Sequence, residues 1–93
     1  MIKVNEYFGG KVKSLVLSTG SGHATIGVIL PGEYEFGTSQ KEIMHVTSGS
    51  MDALLPGSTD WKTFNAGQKF EVAPNQKFKV RMTKDVAYLC EYF

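Results

Sequence analysis

From Pro31 to Gly57 the chain reads PGEYEFGTSQKEIMHVTSGSMDALLPG. Tyr34, Phe36 and Thr38 share one parity, so in an extended chain their side chains point to one face. After a break at Ser39-Gln40-Lys41, Glu42, Met44 and Val46 form the next same-face set. Ser48-Gly49-Ser50 reads as a hairpin turn, since glycine tolerates the positive φ that tight turns require. Asp52 to Leu55 then returns as a third strand and stops at Pro56-Gly57. Glu42 stands out as a carboxylate that begins an otherwise apolar inward face.

Outward from this segment the same grammar continues. Turn residues recur at Gly9-Gly10, Gly20-Ser21-Gly22, Ala66-Gly67 and Pro74-Asn75. Between them lie runs rich in Val, Ile, Phe, Thr and Tyr, which suit pleated, half-buried strands. Lys11 to Ser18, Trp61 to Phe64, Lys69 to Val72, Lys77 to Met82 and Ala87 to Phe93 are such runs. In Lys77 to Met82 the alternation is clean, with Phe78, Val80 and Met82 facing in. Ala24 to Leu30 is almost continuously apolar, the pattern of a strand covered on both faces. No segment carries a helical period. Eight or nine short strands joined by tight turns predict an all-β antiparallel barrel or jelly roll. With no linker, repeat or low-complexity tract, residues 1–93 form a single domain.

The composition narrows the function classes. The chain has 93 residues, 42% of them hydrophobic, 20% charged, and a net charge of +1. That balance gives no electrostatic footprint for nucleic acid or an anionic membrane. The first residues hold no apolar run suited to a signal peptide or a membrane span. One cysteine, Cys90, excludes an intrachain disulfide framework and fits a reducing compartment, so a cytoplasmic location is expected. His23 and His45 fall in different elements without neighbouring ligands at metal spacing, and His45 has the opposite parity to Glu42. Cys90, with no histidine suggested nearby, reads as a buried structural thiol.

Glu42 and Gly49, six residues apart after a Pro/Gly-led strand, resemble the first motif of the cupin superfamily. Ala66-Gly67 to Pro74 is similar to the second. Cupins carry metal-binding histidines at positions that here hold Phe36, Thr38 and Lys79. The resemblance is thus to the cupin (RmlC-like jelly-roll) barrel without its metal ligands, and no metal or other cofactor is expected. A closer resemblance spans Asn5 to Phe93. Asn5-Glu6-Tyr7-Phe8, Gly10 to Ser14, Gly32-Glu33-Tyr34, Leu54-Leu55-Pro56, Thr59-Asp60-Trp61 and Tyr88-Leu89-Cys90 with Tyr92 look like the blocks of the pyrimidine/purine nucleoside phosphorylase family. That resemblance implies splitting of nucleosides of broad base identity by inorganic phosphate into free base and ribose 1-phosphate.

Phosphorolysis of this kind needs donors for phosphate, an acceptor for the ribose hydroxyls and a stacking surface for the base. Glu42 is the candidate catalytic residue, accepting from ribose or stabilising positive charge on the sugar; the alternative is an inward carboxylate inherited from a metal site. Tyr34 and Phe36 are candidates for the nucleoside pocket, against a role as plain core. Thr38 is a candidate for sugar or phosphate contact, against a strand-end hydroxyl that satisfies a loop amide. Trp61 is a candidate base platform, against a plug for the barrel end. Lys11 and Lys13 are the candidate phosphate-binding cations, against lysines on a strand's wet face; Asn5, Glu6 and Tyr7 are further candidates, from an N-terminal arm or across a dimer interface. Two other classes stay open: a non-catalytic cupin module that binds a sugar or nucleoside, and a metal cupin, which the substituted histidines oppose. A small barrel leaves edges and a sheet face uncovered, so a homodimer is expected by analogy with the fold.

Overall fold

Side-chain alternation, once placed in space, produces two facing antiparallel sheets. The computed structural model describes residues 1–93, with ten strands and no α-helix. The strands are β1 (Val4–Tyr7), β2 (Val12–Thr19), β3 (Gly22–Ile29), β4 (Gly32–Gly37), β5 (Glu42–Ser48), β6 (Ser50–Leu54), β7 (Lys62–Asn65), β8 (Lys69–Val72), β9 (Lys77–Met82) and β10 (Val86–Tyr92). One sheet runs β1-β2-β3-β10-β5-β8 and the other β4-β9-β6-β7. No strand bonds across, so the expected jelly roll is an open sandwich and not a closed barrel. The N-terminal residues that carried no strand assignment supply β1, paired with β2 from Val4↔Leu15 to Tyr7↔Val12.

The core lies between the sheets. Val12, Ile29, Val46, Val80, Val86 and Ala53 are at most 2% exposed, and rings interlock across the gap. Phe70 of β8 meets Phe64 of β7 at 4.8 Å and Phe78 of β9 at 5.9 Å. Such interdigitated apolar side chains carry the stability of a small domain, each large one contributing about 2–5 kcal/mol against truncation to Ala. Where β1 ends, a single 3₁₀ turn (Phe8–Gly10) folds Phe8 over β4, with its ring 5.0 Å from Tyr34 and 5.6 Å from Phe36. Phe8 thereby ties an edge of the large sheet to an edge of the small one.

Two expectations change. Ser48-Gly49-Ser50 is not a hairpin turn, because β5 pairs with β10 and β8 while β6 pairs with β9 and β7. It is a corner at which the chain passes between sheets. Inward parity switches there, from Met44 and Val46 to Met51 and Ala53. Gly49 has φ +84, and a Cβ on it would lie 2.7 Å from the Asp85 carbonyl oxygen. Nor is β3 covered on both faces: Ile26 and Val28 are 50% and 49% exposed, since nothing in the chain packs outside the large sheet.

Candidate functional site

Strand register on the inner face of the large sheet lays out the site row by row. Glu42, the first residue of β5, lies opposite Tyr92 of β10, and Tyr92 lies opposite His23 of β3. One row deeper, Cys90 is flanked by Met44 and Thr25. Deeper still, Tyr88 faces Gly27, Gly27 faces Ser14 of β2, and Ser14 faces Asn5 of β1. These rows floor a cleft of about 500 Å³, walled by Phe36 of β4, Phe78 of β9, and Tyr7 and Phe8. That volume suits a small organic ligand of nucleoside size.

Local sequence explains why the rows take this form. A Cβ on Gly27 would lie 2.5 Å from the Tyr88 ring, so glycine is what lets that ring lie across β3. Asn5 Nδ2 donates to the buried Ser14 hydroxyl at 3.3 Å. Tyr92 is held from two sides. Its hydroxyl shares a hydrogen bond with Thr25 Oγ1 at 3.1 Å, and the His23 ring stacks on its ring at 4.8 Å and 8°.

Glu42 is the electrostatic centre. Four ion pairs exist in the molecule, Lys13–Glu6, Lys41–Glu71, His45–Glu91 and Arg81–Asp52, and none includes Glu42. The one protein hydrogen bond it accepts comes from the Cys90 thiol, 3.4 Å from Oε1. Burial raises the Glu42 pKa above its ordinary value, and the Cys90 hydrogen bond opposes that rise. Burial first, and then the Glu42 charge, push the Cys90 thiol upward. Burial also lifts Tyr88 to about 12 and moves Tyr92 upward. At neutral pH the Tyr88 and Tyr92 hydroxyls and the Cys90 thiol beside Glu42 are therefore neutral, and Glu35 is the other acidic side chain in the lining. No Lys, Arg or His lines the cleft.

Of the residues singled out in the sequence, Glu42 and Phe36 line this cleft together. Tyr7, named as a contributor from the N-terminal arm, does so too. The other candidates lie elsewhere. Tyr34 is buried beside Phe8 and donates its hydroxyl to the Leu30 carbonyl at 2.8 Å, which makes it core. Thr38 Oγ1 donates to Ala73 O at 2.7 Å and accepts from Gln76 N–H at 3.0 Å, which makes it a strand-end clamp on the 73–76 loop. Trp61 stands away from the cleft with the Arg81 guanidinium 4.0 Å over its ring. Lys13 has the outward parity of β2 and pairs with Glu6 at 3.7 Å, and exposed Lys11 does not reach the lining. His45 lies on the outer face, with Nε2 2.6 Å from Glu91 Oε1.

Sequence reasoning missed the Glu42–Cys90 contact and the places of Ser14, Tyr88 and Tyr92 in the cleft lining. The alternation of β10 was the available signal, but only cross-strand register reveals which of its residues meet Glu42. A cupin-type metal does not fit this chain. Phe36, Thr38 and Lys79 occupy the histidine positions, and no three His, Cys, Asp or Glu side chains gather to hold an ion.

Residues 2–92 match the family model described as pyrimidine/purine nucleoside phosphorylase. Proteins of that name from Pseudomonas fluorescens strain Pf-5 and Pseudomonas syringae pv. tomato are 60% and 59% identical over 92 residues, covering 99% of this chain and 98% and 99% of theirs. A crystal structure of a Vibrio parahaemolyticus protein of unknown function superposes with TM-score 0.96 at 42% identity, covering 100% of this chain and 99% of that one. An RmlC-like cupin from Shewanella frigidimarina shares the fold alone, with TM-score 0.74 at 18% identity over 97% of this chain and 81% of that one. With 91 consecutive residues matched and whole-length relatives near 60% identity, the chain belongs to the pyrimidine/purine nucleoside phosphorylase family.

Proposed function

We propose that this chain is a metal-independent nucleoside phosphorylase of broad base specificity, acting in nucleoside salvage in the cytoplasm as a homodimer. A phosphate oxygen attacks the anomeric carbon of the ribose, and the carbon–nitrogen bond to the base breaks. The base leaves with that electron pair and takes up a proton; the other product is α-D-ribose 1-phosphate. The observation that carries the proposal is Glu42, a half-buried carboxylate without a cation, open to a cleft with aromatic walls. Its free lone pairs suit ribose hydroxyls, and its charge opposes the positive charge that builds on the sugar as the bond stretches. Phe8, Phe36 and Phe78 offer a base their π-faces, which purines and pyrimidines share, and present it with no hydrogen-bond pattern to match. Ser14 and Tyr88 are the neutral hydroxyls left for phosphate in a cleft without lysine or arginine, since Tyr92 is bonded to Thr25.

That missing cation favours a second reading, a module that binds a nucleoside or sugar without turning it over. Base release from uridine and adenosine, measured with and without phosphate in the presence of a chelator, separates the two. Release that depends on phosphate and survives the chelator is the expected result. Release without phosphate points to a hydrolase, and no release in either condition leaves the binding module.

A further inference from the structure

The Glu42 carboxylate has about four lone-pair positions, and the protein satisfies one of them. The donor is Cys90, 1% exposed and fixed in the middle of the sheet by its neighbours Thr25 and Met44. A glutamate at the end of a strand otherwise has three free rotations. No other side chain bonds to this one: Tyr92 is bonded to Thr25, stacked on His23 and in contact with Cys90 itself, and the nearby lysine, Lys41, is paired with Glu71 at 2.7 Å. A buried thiol in a core is ordinarily indifferent to which small residue replaces it. This one touches the carboxyl group of the cleft floor.

We infer that Cys90 is a positioning residue, whose S–H anchors Oε1 of Glu42 so that Oε2 is presented to the cleft as the acceptor for a ribose hydroxyl. The inference rests on the phosphorylase reading of the same site, but its structural half stands apart from turnover. A thiol is a weak donor and bulky enough to reach the carboxylate from β10. It holds the anion in place without neutralising it, as a lysine there would. The other titratable groups facing Glu42 are Tyr88 and Tyr92 from β10, Tyr7 from β1 and Glu35 from β4, with His23 of β3 behind Tyr92. Burial keeps Tyr88 and Tyr92 neutral at working pH.

The test compares Cys90→Ala with Cys90→Ser in two measurements. In the first, the Glu42 side-chain carboxyl is titrated by carbon-13 NMR in the protein without substrate. In the second, kcat/KM for uridine phosphorolysis is followed against pH. Losing the donor in Cys90→Ala is expected to raise both the Glu42 titration and the acid limb of kcat/KM by roughly half a unit to one unit. The same variant is expected to lower kcat/KM at neutral pH several-fold. Cys90→Ser keeps a donor and is expected to hold both close to the parent protein. If Cys90→Ala leaves the Glu42 titration in place, or both variants lose activity alike with that titration unmoved, Cys90 is packing and the inference is overturned. If the parent protein releases no base, the phosphorylase reading fails and takes the ribose contact with it; the carboxyl titration still decides whether Cys90 anchors Glu42.

Discussion

Glu42 is held at some cost to the fold, and the linkage gives that cost a sign. Its folded-state pKa lies above the ordinary 4.5, so the folded state binds the proton more tightly than the unfolded chain does. The stability it contributes is complete below about pH 4.5 and is lost as pH rises through the raised value. Glu42→Gln mimics the protonated form at every pH. The variant is therefore expected to melt higher than the parent at pH 8, by roughly 2–5 °C, with the gain vanishing near pH 4. At neutral pH it is expected to lower kcat on the order of 100-fold, the scale of losing one charge-stabilising group in a transition state. Thermal melts at the two pH values and a phosphorolysis assay check both. Equal melting gains at pH 4 and pH 8 would mean that Glu42 is not perturbed in the folded protein. Glu42 was legible in the sequence because a carboxylate on an apolar same-face set breaks its own pattern. Cys90, Tyr88 and Tyr92 were not, because alternation places them on one face of β10 without saying which strands flank it. Lys11 and Lys13 show the converse: charge type suggested phosphate, while parity already put Lys13 on the wrong face.

At the level of the strands, turns and alternation were readable and sheet membership was not. The runs 69–72 and 77–82 coincide with β8 and β9 because Gly and Pro bound them and their inward residues alternate. The passage at Gly49 resembles a hairpin in sequence, since a corner and a hairpin both need a residue at positive φ. What separates them is the parity switch from Val46 to Met51, and its meaning depends on where β9 and β10 lie. The same dependence on register makes Gly27 a specific point of failure. In Gly27→Ala the new methyl would meet the Tyr88 ring at 2.5 Å, and the ring, which lines the cleft, must shift. Overpacking of this kind costs about 1–3 kcal/mol. The expected result is a lowered denaturation midpoint together with a raised KM for nucleoside, because Tyr88 floors the site. An unchanged KM beside a lowered midpoint would place Tyr88 outside the substrate's reach. Unchanged values of both would show that the ring moves aside freely.

The whole molecule carries one feature that a lone 93-residue chain leaves unexplained. Outside the large sheet, register aligns Val4, Leu15, Ile26 and Leu89 in one row, with Leu17 and Val28 beside it. Val4, Leu15, Leu17, Ile26 and Val28 are between 43% and 57% exposed, and Ile2 is 66% exposed. These side chains offer on the order of 500 Å² of apolar surface in one patch, the size of the largest patches on monomers, which are often functional. A second copy is the occupant the face suits. Two such patches and their rims reach the range of about 1,200–2,000 Å² that a stable dimer buries. The rim also carries both signs at one place, in the Glu6–Lys13 pair, so a two-fold operator can set each charge against its opposite on the partner. β1 and β2 hold this face on one side and supply Tyr7 and Ser14 to the cleft on the other, so a dimer formed here would stiffen a wall of the site. Ile26→Lys puts a charge in the centre of the patch, on a strand side chain that no core residue needs. It is expected to convert a dimer to a monomer in sedimentation equilibrium, to leave the far-ultraviolet spectrum of the strands intact, and to raise KM more than it lowers kcat. A parent protein that sediments as a monomer would remove the homodimer from the proposal. A variant that stays dimeric would move the interface to another face, with the edge strands β4 and β8 the next to test.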